Sequence, residues 1–179
     1  ARDTVRCYAG QGWTWNGVRF DMLHPTRESY DVVNIKDNNR GCVLRVATRG
    51  SAVLIPADIE KRAEEELLAS MREQLRTPVL LAPHHGSKTS STQAFVDTVD
   101  PKIVIYTVGY RNRHGHPHAD VQERYMKAGG TVFRSDRDGA LQLTLGDSPD
   151  VKVTPYRAIY KRYWQTALEG DLTPDPDEL

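Results

Sequence analysis

The chain has no surplus of charge: 24 lysines and arginines are matched by 24 aspartates and glutamates across 179 residues. A global field that draws nucleic acid in is therefore excluded, and any attraction to phosphate has to be local. Cysteine is scarce. Cys7 and Cys42 have neither Cys-x-x-Cys spacing nor the density of a disulfide scaffold, so they leave the redox compartment open. No run approaches the roughly 18 consecutive apolar residues that cross a bilayer, and the opening ARDTVRCYAG has no apolar signal-peptide core. Internal repeats are missing, as is any linker long enough to divide domains. What is present, 39% hydrophobic and 27% charged residues, is the composition of one globular domain.

The first third reads as strands: Val5 to Tyr8, Trp13 to Trp15 and Val18 to Leu23, the last two joined at Asn16-Gly17, a strong hairpin signal. Trp13 and Trp15 alternate with Thr14, which puts both on one side of a strand, covering the core. Cys42 to Thr48 and Ala52 to Ile55 form a further pair about Arg49-Gly50-Ser51. From Ile59 to about Leu75 the residues IEKRAEEELLASMREQL are strong helix formers with apolar positions at helical spacing. Thereafter strand and helix alternate: Val79 to Ala82, a helix from about Ser91 to Val99, Ile103 to Val108, a helix from about Ala119 to Ala128, and Val132 to Arg134. Such alternation means helices packed on a sheet. Gly129-Gly130 closes the last helix, and Asp138-Gly139 turns the chain into Ala140 to Leu145. Residues 1–147 therefore form the domain; 148–179 form a tail whose Tyr156, Tyr160, Tyr163 and Trp164 predict a helix, ahead of a disordered LTPDPDEL.

Five of the six histidines fall in two short segments, each between a strand and a helix. Core packing does not produce such clustering, whereas loops at strand ends of a layered α/β structure converge polar side chains on one cleft. In LLAPHHGSKTSST, residues 80–92, a buried strand ends at Pro83, His84 and His85 follow, Gly86 allows a sharp turn, and hydroxyls precede a helix. Neutral imidazole is a common zinc ligand, and the free N–H groups of a helix start favour an anion. His84 and His85 are thus candidate metal ligands, with Ser87, Lys88 and Thr89 as phosphate contacts; the bland alternative is a turn with Ser90 or Ser91 as helix cap. In GYRNRHGHPHADV, residues 109–121, Arg111 and Arg113 suit phosphate oxygens, and His116 and His118 flank Pro117. Either histidine instead caps the following helix in the bland reading. Asp58 lies between an apolar strand, VLIP, and the long helix, placed either to bind a divalent cation or to serve as the helix N-cap. His24 before Pro25 is read as structural. Arg134, Asp136, Arg137 and Asp138 either border the cleft or form a solvated turn of local ion pairs.

Strand, Asp58, helix, strand and His84-His85-Gly86-Ser87 together resemble the later metal-binding motifs of the metallo-β-lactamase fold. The segments WTWNGVRFDMLHP, NNRGCVLRV, ADIEKRAEEELL, HHGSKTSS, GHPH and SDRDGA, in this order, resemble the metallo-β-lactamase-type domain of ComEC-type competence DNA-uptake proteins over about Cys7 to Leu145. The resemblance implies the later portion of an αββα sandwich. It also implies a membrane channel, the rest of the protein, that admits one DNA strand at the periplasmic face of the bacterial inner membrane while this domain degrades the other. On it, Asp58 corresponds to the metal-binding aspartate, His85 to the last ligand histidine with His84 beside it, and His116 and His118 to the Gly-His-Pro-His element. The hallmark His-x-His-x-Asp-His is not in the chain, and the resemblance places it before residue 1. Ala57 stands where the family usually has glycine, Gly41 where it commonly has serine, and Asn38 and Asn39 near a position that is often a ligand histidine. Asn39 is accordingly a substrate-orienting candidate.

The expected chemistry is hydrolysis of phosphodiester bonds with one or two divalent ions, manganese or zinc. Asp58, His84 and His85 bind metal, and His116 or His118 stabilises or protonates the leaving oxygen of DNA, preferably single-stranded. Without the upstream motif the ligand set of this chain is incomplete. Two other functions compete: a non-catalytic module that binds the DNA backbone or a channel partner, and a hydrolase of a small phosphodiester or ester.

Overall fold

Strands form where apolar, β-branched runs are punctuated by turn residues. The computed structural model describes residues 5–160. β1 (Gly12–Trp15) and β2 (Val18–His24) meet through Asn16 and Gly17, both at positive φ (47° and 81°), the backbone a two-residue hairpin requires. β3 (Val43–Ala47) and β4 (Ala52–Ile55) continue antiparallel. β5 (Val79–Leu81), β6 (Ile103–Tyr106) and β7 (Thr131–Arg134) then add in parallel, giving one seven-stranded mixed sheet in the order β1 to β7. Parallel neighbours need crossovers. These are α1 (Lys61–Ser70) with α2 (Arg72–Leu75), then α3 (Gln93–Val99), then α4 (Ala119–Lys127). One-turn helices α5 (Ser135–Asp138) and α6 (Tyr156–Ile159) flank a separate hairpin of β8 (Leu141–Thr144) and β9 (Lys152–Pro155).

The sheet has a helix-covered face. Leu54, Leu80, Val104 and Val132 stand in cross-strand register, and the first three are fully buried against Ala63 and Leu67 of α1, Phe95 and Val96 of α3, and Val121 and Tyr125 of α4. This is an α+β layered fold, as the alternating pattern predicted. Residues of the opposite parity, Phe20, Val46 and Val53 in one row and Met22, Leu44 and Ile55 in the next, make a second apolar face that is only partly covered. Between helices the core is joined by a buried carboxylate. Glu64 of α1 accepts from the backbone N–H groups of Ser91 and of Thr92 (2.8 Å), Arg124 of α4 donates to the Ser91 carbonyl, and the Tyr125 hydroxyl donates to Ser91 Oγ at 2.9 Å. Burial pushes the Glu64 carboxyl above its ordinary range, opposed by those N–H groups and by Arg124.

Several expectations need correction. Val5 to Tyr8 is not a strand; Cys7 is tied instead to Cys42 by a disulfide. The expected Ile59–Leu75 helix starts at Lys61 and breaks at Met71, whose φ and ψ of −130° and 18° are not helical. Trp13 and Trp15 do share a face but do not cover the core: they are 47% and 67% exposed, with Trp13 stacked on Phe20 at 4.8 Å. β9 was not expected; it pairs β8 with residues beyond 147. Of the terminal aromatic cluster, Tyr156 begins α6, while Tyr163, Trp164 and LTPDPDEL lie outside the described residues.

Candidate metal centre

The polar residues singled out from sequence sit just past the C-terminal ends of β4, β5 and β6, where the parallel half of such a sheet opens its cleft. Past β4, Ala57 and Asp58 form a turn before α1. Asp58 is not the helix N-cap: Glu60 holds that position, and its backbone N–H donates to the side-chain oxygen of Asn39 at 3.1 Å. Past β5, Pro83–Gly86 makes a tight turn in which His84 and His85 both adopt left-handed backbone (φ 47° and 57°). Ala57 does the same at φ 52° and accepts from the His84 N–H at 3.1 Å. Left-handed backbone costs a non-glycine residue roughly 1–2 kcal/mol, and strain gathered in one place is a mark of function. It also explains why the resemblance expects glycine where Ala57 stands.

That strain presents side chains. His85 Nε2 lies 3.4 Å from Asp58 Oδ1, both half exposed, and His85 Nδ1 lies 3.0 Å from the Thr107 hydroxyl just past β6. A carboxylate faced by an imidazole lone pair is repulsive unless a proton or a cation lies between them. Two ligands each about 2.1 Å from a tetrahedral ion are themselves about 3.4 Å apart, so the pair fits a metal by spacing and donor type. The fit extends to two donors. Among the described residues no three His, Cys, Asp or Glu side chains converge to hold an ion.

His84 adjoins this pair, with ring centroids 6.5 Å from His85 and 6.0 Å from His116. Its Nδ1 is 3.3 Å from the Thr89 hydroxyl and 3.8 Å from Glu60 Oε1. Glu60 in turn is paired with Lys36 at 2.8 Å, which holds its carboxyl below the ordinary range against the opposing effect of burial. The second histidine loop docks on the first through Gly86, whose carbonyl accepts from the His118 N–H at 2.9 Å. A Cβ on Gly86 would come within 2.5 Å of the Tyr106 ring and 2.7 Å of Pro117, and its φ is 82°. Asn112 pins the loop by both accepting from the His116 N–H (2.9 Å) and donating to its carbonyl (2.7 Å). His116 Nδ1 and His118 Nδ1 are buried without partners, and Asp120 stays 3.7 Å from the latter. Burial, then the neighbouring imidazoles, hold His116 below the ordinary histidine range, so at pH 7 it is neutral and offers a lone pair.

The structure therefore brings Asp58, His84, His85 and His116 together in one cluster. His118 sits at the N-cap of α4 but makes no side-chain capping bond there. Ser87 and Thr89 bond each other at 3.1 Å beside it; Lys88 is exposed, as are Arg111, over the Tyr110 ring, and Arg113, which donates to His114 at 3.3 Å. The capping role proposed for Ser90 or Ser91 belongs to Thr92, which accepts from the Phe95 N–H. His24 is buried between the Gly41 carbonyl (3.0 Å) and Glu66 (3.3 Å), a structural residue. Arg134 with Asp136 and Arg137 with Asp138 form local ion pairs at 2.7 and 2.9 Å. Sequence reasoning missed Glu60 and Thr107. Thr107 was findable by the strand-end logic that located Asp58, whereas Glu60 is hidden in the acidic first turn of a helix, where carboxylates are ordinary.

Imidazoles and a carboxylate thus gather at the parallel strand ends of an α+β layered fold. No family model matches the chain. It is 40% identical over 161 residues, 90% of its length, to Competence protein ComA of Neisseria gonorrhoeae. It is 34% identical over 76% of its length to Recombination protein 2 of Haemophilus influenzae and 33% identical over 70% to ComE operon protein 3 of Bacillus subtilis. The matches cover 22%, 16% and 16% of those proteins, so the chain spans about a fifth of the length of the curated relatives it matches. It is a competence-related protein.

Proposed function

We propose that the chain is the metal-dependent nuclease portion of a competence DNA-uptake protein, hydrolysing phosphodiester bonds of the strand that is not taken up. The observation that carries this reading is the meeting of Asp58 and His85 at 3.4 Å, at the ends of neighbouring parallel strands. Asp58 and His85 would hold a divalent ion, zinc or manganese, with His84 beside them as a further ligand once the rest of the site is supplied. When bound there, such an ion supplies Lewis acidity and an activated water at neutral pH. Thr107 orients the His85 ring through Nδ1. Lys88, Arg111 and Arg113 are exposed in the two histidine loops and have the charge to meet phosphate oxygens. His116, neutral and with an unpartnered Nδ1, is suited to hold a proton-bearing group or water at the cleft, and His118 lies beside it.

The partly covered face through Phe20, Met22, Leu44 and Ile55 supports one layer of an αββα sandwich whose other sheet comes from elsewhere in the protein. The Cys7–Cys42 disulfide supports an oxidising compartment, as the periplasmic face of the inner membrane is. Among the described residues no helix is long and apolar enough to cross a membrane.

The test is cleavage of single- and double-stranded DNA by the full-length protein with zinc or manganese, with chelator, and with Asp58→Ala and His85→Ala. Metal-dependent cleavage that both substitutions abolish is the expected result. Equal cleavage by wild type and both variants refutes the assignment. That two donors and no third converge among the described residues favours one competing reading, a non-catalytic module binding the DNA backbone; salt-sensitive, chelator-insensitive binding without turnover would establish it.

A further inference from the structure

The two site histidines turn the same nitrogen to the same kind of group. Nδ1 of His85 faces the Thr107 hydroxyl at 3.0 Å, and Nδ1 of His84 faces the Thr89 hydroxyl at 3.3 Å. The threonines differ in what stands behind them. Thr89 is backed by the Glu60 carboxylate, with Thr89 Oγ1 3.4 Å from Glu60 Oε1, and Glu60 is locked to Lys36 at 2.8 Å. For Thr107 no acceptor beyond the ring nitrogen is found among the described residues.

A carboxylate accepts and never donates, so the single hydroxyl proton of Thr89 points at Glu60. The two lone pairs of that oxygen are then free to accept. Ser87 Oγ lies 3.1 Å away and His84 Nδ1 3.3 Å away, which fills both. The opposite polarity, with Thr89 donating to a bare His84 Nδ1, would leave oxygen lone pairs of Thr89 and Glu60 against each other. Only one His84 tautomer satisfies every group: the proton on Nδ1, the lone pair on Nε2. A free imidazole in water prefers the other tautomer, so this arrangement is imposed by the protein.

We infer that Glu60, acting through Thr89, is the positioning residue that fixes His84 as the Nδ1–H tautomer and so presents its Nε2 lone pair to the cleft. The use of that lone pair as a metal ligand rests on the function proposed above; the tautomer does not. Thr89 accordingly spends its hydroxyl on Glu60 and the histidine, and its N–H on Ser87 Oγ. His85, without a carboxylate behind its threonine, is left free to exchange its proton between Nδ1 and Nε2 according to what lies between it and Asp58.

Long-range nitrogen–proton NMR correlation of the metal-free 15N-labelled chain reads each tautomer directly, with His84→Ala assigning the signals. His84 should show the Nδ1–H pattern in wild type. Glu60→Gln, whose amide donates where the carboxylate accepted, should move it to the Nε2–H pattern, and so should Thr89→Val. Thr89→Ser, which keeps the hydroxyl, should restore the wild-type pattern, and His85 should not change in any of them. An Nε2–H His84 in wild type, or a His84 pattern unchanged in both Glu60→Gln and Thr89→Val, overturns the inference. Since the readout uses neither metal nor DNA, failure of the nuclease reading leaves it intact, and its own failure leaves Asp58 and His85 untouched.

Discussion

Glu60 and Glu64 stand one helical turn apart at the start of α1, and both reach the same short segment between His84 and α3, yet they do opposite things there. Glu64 is fully buried and holds backbone: the N–H groups of Ser91 and Thr92 end on its carboxylate. Glu60 stays at the cleft edge and directs a hydroxyl, which in turn directs an imidazole. Burial raises the pKa of the first and Lys36 lowers that of the second. One carboxylate thus builds the platform and the other orients an imidazole on it. Fixing the 83–92 segment from beneath is what allows its histidines to keep a strained backbone above.

The sharpest way to break this division is Glu64→Ala. It leaves the backbone N–H groups of Ser91 and Thr92 without partners in the core, and each buried donor so orphaned costs about 1–3 kcal/mol. Denaturant melts should show a loss of this size. The pH dependence has a definite sign. With the folded pKa raised above the unfolded one, the contribution of Glu64 is fullest below the ordinary glutamate range and is lost as pH rises through the raised value. Wild type should therefore lose its advantage over Glu64→Gln as pH rises, and an advantage that grows instead contradicts the burial account.

Gly86→Ala probes the joint between the two histidine loops. A methyl there has to displace the Tyr106 ring or Pro117 and adopt a positive φ, which together cost about 3 kcal/mol. Thermal melts should show the loss, and the His118 N–H should lose its protection from hydrogen exchange as its bond to Gly86 opens. Ala57→Gly has the smallest effect and the opposite direction. Relief of the left-handed alanine should stabilise the fold by up to about 1 kcal/mol, without weakening metal binding, because the Asp58 side chain is unchanged. A destabilised Ala57→Gly variant would mean that the strain at φ 52° is not real.

Much of this was legible in the sequence, unevenly. The parallel half of the sheet followed from apolar runs alternating with helical periods, because each strand there is buried on its helix face and reads as one hydrophobic block, as with Val79–Leu81 and Ile103–Tyr106. The break at Met71 was not legible, since leucines and methionine keep their helical spacing through it. Val5 to Tyr8 has strand composition but is held by a covalent bond rather than by a ladder. Alternation correctly put Trp13 and Trp15 on one face, yet periodicity does not say which face of a sheet is covered. At the candidate site, clustered histidines and a strand-end aspartate were enough to foresee that Asp58, His84 and His85 meet. The Glu60–Thr89 relay was not, because it depends on which atom meets which across two loops.

In the proposed function a divalent cation sits between Asp58 and His85. This is tested most directly by equilibrium dialysis of the full-length protein against zinc or manganese, with metal content measured for wild type, Asp58→Ala and His85→Ala, and circular dichroism showing that each is folded. Loss of an orienting partner behind a ligand weakens metal binding about 10- to 100-fold, so removal of either ligand should weaken it by at least as much. Wild-type affinity in both folded variants would contradict the account.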